Sequence, residues 1–187
     1  MHQLRFFIGL LWVGFYVYWL ISGLQSNKNV RGSSWGQSLL TRFAAVIVIV
    51  GLLGRQTMRS AEWTHGSSNL LVNLAAAVVC AAGFGFAVWA RRHIGRNWGV
   101  PMSVKAKTEL VTTGPYGLVR HPIYSGILLA LLGSAPIFGL RLIVVAVAFG
   151  AYAIYSATVE ERNMESLFPG QYAEYRRRTK FLIPWIF

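Results

Sequence analysis

The chain has 187 residues, of which 55% are apolar and only 13% charged, and 18 Lys and Arg against 6 acidic residues leave a net charge of +12. This composition lies outside the range of soluble domains and points to lipid as the surrounding solvent. It argues against a nucleic-acid groove, because the charges flank apolar runs instead of covering a soluble surface, and the single Cys80 excludes an intramolecular disulfide and makes a Cys-based metal site unexpected.

A segment crossing the hydrocarbon needs about 20 mostly uncharged residues in helical form. The first candidate, Phe6–Leu24, is long, rich in Trp and Tyr, and followed by no A-x-A-like site, so it reads as a span and not a secretory signal. Leu39–Gly54 is shorter and carries Arg42 near one end, where the side chain can snorkel to the headgroups. Asn69–Ala90 carries no charge, and its Gly83-Phe84-Gly85 permits close helix contact within the chain. From Ile123 to Thr158 only Arg141 is charged, dividing the stretch into two spans around Phe138-Gly139-Leu140, the pattern of a helical hairpin. The expectation is an all-α integral membrane protein of about five transmembrane helices, one domain over 1–187. Residues 1–68 carry two N-terminal spans, and 69–187 carry the third span, the hairpin and the motif-bearing half.

Lys and Arg accumulate in cytoplasmic loops. Five spans place Lys28, Arg31, Arg91, Arg92, Arg96, Lys105, Lys107, Arg120, Arg162, Arg176, Arg177, Arg178 and Lys180 on one side, against Arg5, Arg55, Arg59 and Arg141 on the other. This predicts an N-terminus outside and a C-terminus in the cytoplasm, in the inner membrane of a bacterium, with the basic loops also attracting membrane lipids.

The chemistry-bearing residues lie in two polar segments. Arg91 to His121 ends in Arg120-His121-Pro122-Ile123-Tyr124, where Pro122 suits the first turn of a helix. Arg120 and His121 then sit at a helix N-terminus, which favours an anionic group. Glu160-Glu161 follow the fifth span, and hairpin arms of matched length return them to the height of Arg120 and His121. Either cluster alone reads as a headgroup anchor or a countercharge; their convergence reads as a site. Phe168-Pro169-Gly170 should stop the helix, Gln171–Lys180 is a short helix candidate with Glu174 and Arg178 spaced as an i,i+4 pair, and the apolar tail around Pro184-Trp185 can fold back as a lid. His2 and His65 fall on the opposite side, and His93 has no partner visible in sequence. The four His lack a metal-ligand spacing, so no metal is expected. The Gly-x-Ser-x-Gly, phosphate-loop and dinucleotide signatures are absent.

From Arg91 onward the ordered set Leu110-Val111-Thr112-Thr113-Gly114-Pro115-Tyr116, Arg120-His121-Pro122-Ile123-Tyr124-Ser125-Gly126, Glu160-Glu161, Phe168, Tyr172, Tyr175 and Pro184 resembles the isoprenylcysteine carboxyl methyltransferase family, which is related to the membrane phospholipid methyltransferases. The resemblance implies an S-adenosylmethionine cofactor, leaving as S-adenosylhomocysteine, in a cytoplasmic-face pocket formed by the loop after the third span and the C-terminal segment. It implies that Arg120, His121, Tyr124, Glu160 and Glu161 form the pocket and that Leu110, Val111, Gly114 and Tyr116 wrap the cofactor. Arg120 and Glu160 are the expected catalytic pair, with Arg120 orienting the acceptor and Glu160 or Glu161 holding the cofactor. Where family members often carry His before the Leu-Val stretch, this chain has Thr108.

The expected activity is methylation of the carboxyl group of a lipophilic, isoprenylcysteine-like or prenylated substrate entering from the membrane. Phospholipid N-methylation and small-thiol methylation are the enzymatic alternatives, and a basic membrane scaffold is the non-enzymatic one. Oligomeric state is not legible.

Overall fold

The computed structural model describes residues 2–24, 29–31, 66–98, 104–105, 109–184 and 186. The predicted span Leu39–Gly54, as well as Thr108, His65 and Trp185, lies outside the described residues. Among the described residues the α-helices are α1 (His2–Leu24), α2 (Leu70–Ile94), α3 (Pro122–Phe138), α4 (Arg141–Leu167) and α5 (Gln171–Arg178). A two-stranded antiparallel ladder, β1 (Asn29–Arg31) with β2 (Val104–Lys105), is added to them. Helices α1, α2 and α4 are long and apolar enough to cross a membrane, and α3 is a shorter apolar helix of 17 residues. This is a helical integral membrane fold.

Local chemistry sets the helix ends. Asn69 caps α2 by accepting from the amides of Leu71 (2.9 Å) and Val72 (3.3 Å). Arg91, Arg92 and His93 occupy its last turn, where the helix dipole favours cations. Pro122 opens α3 as expected, and Gly139 and Leu140 alone separate α3 from α4. α4 runs past the apolar stretch to Leu167, carrying Glu160 and Glu161 within it, and Gly170, at φ 83°, then turns the chain into α5.

The closest pairing is α2 on α3, built from small residues. A β-carbon on Gly83 would stand 2.5 Å from the Ala130 amide nitrogen, and one on Gly126 would stand 2.6 Å from that of Ala87. Gly85 meets nothing within 4 Å, so of the two flanking glycines only Gly83 makes the close contact. α1 leans on this pair through rings: Trp12 and Phe15 each lie 4.8 Å from Phe84. The Trp12 indole donates to Ser134 Oγ at 3.1 Å, which in turn donates to Ala130 O at 2.8 Å, satisfying polar groups that would otherwise be costly in apolar surroundings. Much of the rest of α1, α2 and α4 turns Phe6, Val13, Leu71, Val78, Val147 and other apolar side chains outward, the arrangement expected of helices facing lipid.

The two ends of the bundle are pinned differently. At one, Arg5 Nε donates to Ile137 O (3.1 Å) and the Ser67 amide to Pro136 O (2.7 Å), which sets the start of α1 beside the hairpin turn. At the other, buried Arg91 donates to Gly95 O (2.8 Å) and to Ser22 O and lies 4.5 Å over the Trp98 ring. One guanidinium thus ties the C-terminal ends of α1 and α2 together, where carbonyls lack helical partners.

Candidate functional site

The Arg91 end of the bundle is also where the predicted clusters meet. Arg120 Nε lies 2.5 Å from Glu161 Oε1, and His121 Nε2 lies 3.3 Å from the same oxygen. His121 Nδ1 faces Glu160 Oε2 at 3.6 Å. Tyr124, one turn into α3, donates to Glu160 Oε1 at 2.7 Å, and Ser156, one turn before Glu160 on α4, donates to the same atom at 3.3 Å. The start of α3 and the upper part of α4 therefore share one polar cluster, closed underneath by the contact of Tyr124 with Ser156 at 2.9 Å.

The C-terminal segment forms the third wall. After α5 the chain runs back along the entry to α3 as a strap: Arg120 N donates to Lys180 O (2.8 Å), His121 N to Phe181 O (3.2 Å) and Ser125 Oγ to Leu182 O (2.5 Å). Arg120 Nη1 donates to Thr179 O at 2.5 Å and to Arg176 O at 3.3 Å, and Arg176 Nε stands 3.8 Å from Glu161 Oε2. Arg120 is thus a clamp between α4 and the strap, with only 9% of its side chain exposed.

The fourth wall is the 3-10 turn Gly114–Gly117. Gly114 has φ 59°, a left-handed conformation that favours glycine, and a β-carbon there would lie 2.7 Å from the His93 ring. His93 from α2 lies over this turn, pairing its Nε2 with Thr113 Oγ1 at 2.9 Å and stacking on Tyr116. Tyr175 of α5 donates to Tyr116 O at 2.7 Å, tying the turn to that helix. Leu110 and Val111, half-buried in the stretch leading into the turn, are not part of the ion cluster.

Electrostatics fixes the protonation of these walls. Burial alone would depress the His121 imidazolium, but the carboxylates of Glu160 and Glu161 outweigh it and raise His121 above its ordinary value. Burial raises the phenols of Tyr116, Tyr172 and Tyr175, with Glu160 adding to the effect at Tyr116 and Glu161 at Tyr172 and Tyr175, so all three stay protonated donors near neutral pH.

Of the predicted site residues, Arg120, His121, Tyr124, Glu160 and Glu161 are brought into one cluster, with Gly114 and Tyr116 in the adjoining turn. Sequence reasoning missed Ser156, whose spacing four residues before Glu160 was a usable signal, and His93, whose partners are 20 residues away and had none. The return of the C-terminal segment was expected, but its individual contacts, which run through backbone carbonyls, leave no trace in residue type. A cavity of about 310 Å³ lined by Leu132, Ala135, Pro136 and Ile143 lies at the hairpin end, away from the cluster, and carries no titratable group. Among the described residues no group of His, Cys, Asp and Glu could hold a metal ion.

The sequence profile of the family described as phospholipid methyltransferase matches residues 71–171. The cobalt-zinc-cadmium resistance protein CzcN of Cupriavidus metallidurans is 36% identical over 94 residues, covering 49% of this chain and 43% of that protein. Methanethiol S-methyltransferase 1 of Bradyrhizobium diazoefficiens is 36% identical over 70 residues, covering 37% and 24%. Protein-S-isoprenylcysteine O-methyltransferase B of Arabidopsis thaliana is 30% identical over 80 residues, covering 42% and 41%. The matched stretch therefore spans less than half the length of each relative. Among solved structures, the eukaryotic intramembrane Ras methyltransferase, isoprenylcysteine carboxyl methyltransferase, shares the fold with a TM-score of 0.55 at 22% identity, covering 84% of this chain and 55% of that one.

Proposed function

This chain belongs to the phospholipid methyltransferase family, and from that premise we propose that it transfers a methyl group from S-adenosylmethionine to a lipophilic acceptor at the membrane interface. The observation that carries this reading is the polar cluster itself: two carboxylates, a histidine and an arginine gathered at one end of an apolar bundle and walled by a glycine-containing turn and a C-terminal strap.

The residues fit such a cofactor. It is cationic at sulfur and at its amino group and carries ribose hydroxyls, so it needs acceptors, and Glu160 offers them with 29% of its side chain exposed against 11% for Glu161. When bound, it supplies an electrophilic methyl group to an in-line displacement that requires neither a metal nor a covalent enzyme intermediate. The work of the chain is then positioning and exclusion of water. Glu160 holds the cationic or hydroxyl groups of the cofactor; His121, Tyr124 and Ser156 hold Glu160 in place; Tyr116 and the Gly114–Gly117 turn pack against the cofactor with Leu110 and Val111.

The acceptor we favour is the carboxyl group of an isoprenylcysteine-like lipid, in keeping with the Arabidopsis relative. In this reading Arg120 reaches the acceptor through Nη2, because Nε and Nη1 are committed to Glu161 and to carbonyls of the strap. That commitment is also the specific observation favouring a second acceptor, a small thiol, which needs no cation to orient it and is what the Bradyrhizobium relative's name describes. Incubation of the purified protein with methyl-labelled S-adenosylmethionine and each acceptor class separates the readings. Base-labile label on a prenylcysteine supports the first, and base-stable thioether or N-methyl label replaces it. Failure of S-adenosylhomocysteine to bind well-folded protein would remove the methyltransferase reading altogether.

A further inference from the structure

We infer that α5 and the strap after it form a docking surface for anionic phospholipid headgroups, and that seating this surface closes the site. The inner side of the segment is already accounted for: Tyr172, Tyr175, Thr179 and Leu182 are buried, and its carbonyls hold Arg120, His121 and Ser125. The outer side is different. Arg176, Arg177, Arg178 and Lys180 are all exposed within five consecutive positions, and the only acid in α5, Glu174, is paired with Arg178. Exposed Leu167 precedes these cations and exposed Ile183 and Ile186 follow them. Cations flanked by outward apolar side chains, at the end of a membrane bundle, match a surface with phosphates above and acyl chains below. An acidic protein would use the cations and leave the isoleucines without a role.

The consequence for the site follows from the same bonds. Arg120 donates from Nη1 to two carbonyls of this segment, and its own amide and that of His121 donate to the carbonyls of Lys180 and Phe181. Held on a charged leaflet, the segment keeps those carbonyls in place; released from it, Arg120 and His121 lose a wall.

The test uses the full chain in vesicles of phosphatidylcholine alone or mixed equally with phosphatidylglycerol, without cofactor, reading hydrogen exchange of the Arg120 and His121 amides. Exchange should slow about fivefold in the anionic membrane, the scale of one basic residue at such a surface, and the gain should vanish in high salt and in the double variant Arg177→Gln, Lys180→Gln. Equal exchange in both membranes overturns the inference, as does slowing that persists in the double variant, and slowing by soluble polyglutamate in place of vesicles assigns the surface to an acidic protein instead. The affinity for S-adenosylhomocysteine, measured in the same vesicles, should rise in parallel. This second readout rests on the methyltransferase reading, so absent binding with lipid-dependent amide protection would sink that reading and leave the docking surface standing.

Discussion

In a Glu161→Gln variant the group between Arg120 and His121 becomes a neutral amide, while the guanidinium it faced at 2.5 Å stays where it is. With 9% and 11% of the two side chains exposed, solvent does little to compensate. Breaking such a pair from one side costs about 3–5 kcal/mol, mostly from the charge left behind. For a chain of this length each 1 kcal/mol lowers Tm by about 2–4 °C, so a fall of about 6 °C or more is expected in detergent-solubilised protein followed by tryptophan fluorescence. Arg120→Gln alone should cost less, since His121 and Arg176 remain on the carboxylate. The double variant Arg120→Gln, Glu161→Gln leaves no stranded charge and should recover part of the loss, giving a coupling of about 2 kcal/mol, well above the roughly 0.5 kcal/mol within which independent sites add. Strict additivity would show that the pair is not energetically linked, and the clamp reading of Arg120 would fail.

Because His121 is raised above its ordinary value by Glu160 and Glu161, its imidazolium contributes stability that is fully present below about pH 6.5 and is lost as pH rises through the raised value; a Tm-against-pH scan should show that decline and flatten in His121→Gln. Gly83→Ala should destabilise by about 1–3 kcal/mol through its clash with the Ala130 backbone, whereas Gly85→Ala, facing open space, should be neutral or stabilising on the helix-propensity scale; equal Tm shifts would contradict the packing described. Gly114→Ala combines a left-handed φ with the His93 ring and should cost about 1–2 kcal/mol while weakening S-adenosylhomocysteine binding in calorimetry; unchanged binding would separate the turn from the cofactor pocket.

How much of this was legible in sequence depends on what kind of interaction set each feature. The hairpin turn at Gly139-Leu140, the start of α3 at Pro122 and the stop at Phe168-Pro169-Gly170 are written in backbone chemistry, where Pro and Gly act locally, and all three appear where expected. Asn69, expected inside the third span, is instead its cap, and that helix extends to Ile94, four residues past the apolar run, because charge limits membrane spans but not helices. Glu160 and Glu161, which follow the apolar span, lie in the helix that runs on to the expected stop. The meeting of Arg120 with Glu161 was legible because helical rise converts matched arm lengths into matched heights. The strap's return was legible only through the resemblance, and its register was not, because its carbonyls would look alike whatever side chains they carried. His93 was not legible either, since its register against Thr113 depends on how α2 and the turn pack.

The two glutamates, adjacent in sequence, carry different burdens. Glu161 takes the cations: Arg120 and His121 on Oε1 and Arg176 on Oε2. Glu160 accepts from the hydroxyls of Tyr124 at 2.7 Å and Ser156 at 3.3 Å, faces His121 at 3.6 Å, and is the more exposed of the two. Glu160→Gln leaves Glu161 to pair with Arg120 and His121 and keeps an oxygen that Tyr124 and Ser156 can donate to, so it should lower Tm less than Glu161→Gln. If Glu160 is the group that meets a cationic cofactor, the same substitution should remove a charge-assisted bond of about 1.5–3 kcal/mol, weakening S-adenosylhomocysteine binding by about tenfold to a hundredfold. Calorimetry and thermal unfolding on both single variants decide the matter. Native-like affinity in Glu160→Gln, with a Tm loss as large as that of Glu161→Gln, would mean that both carboxylates are structural and that the cofactor's cationic groups are held elsewhere.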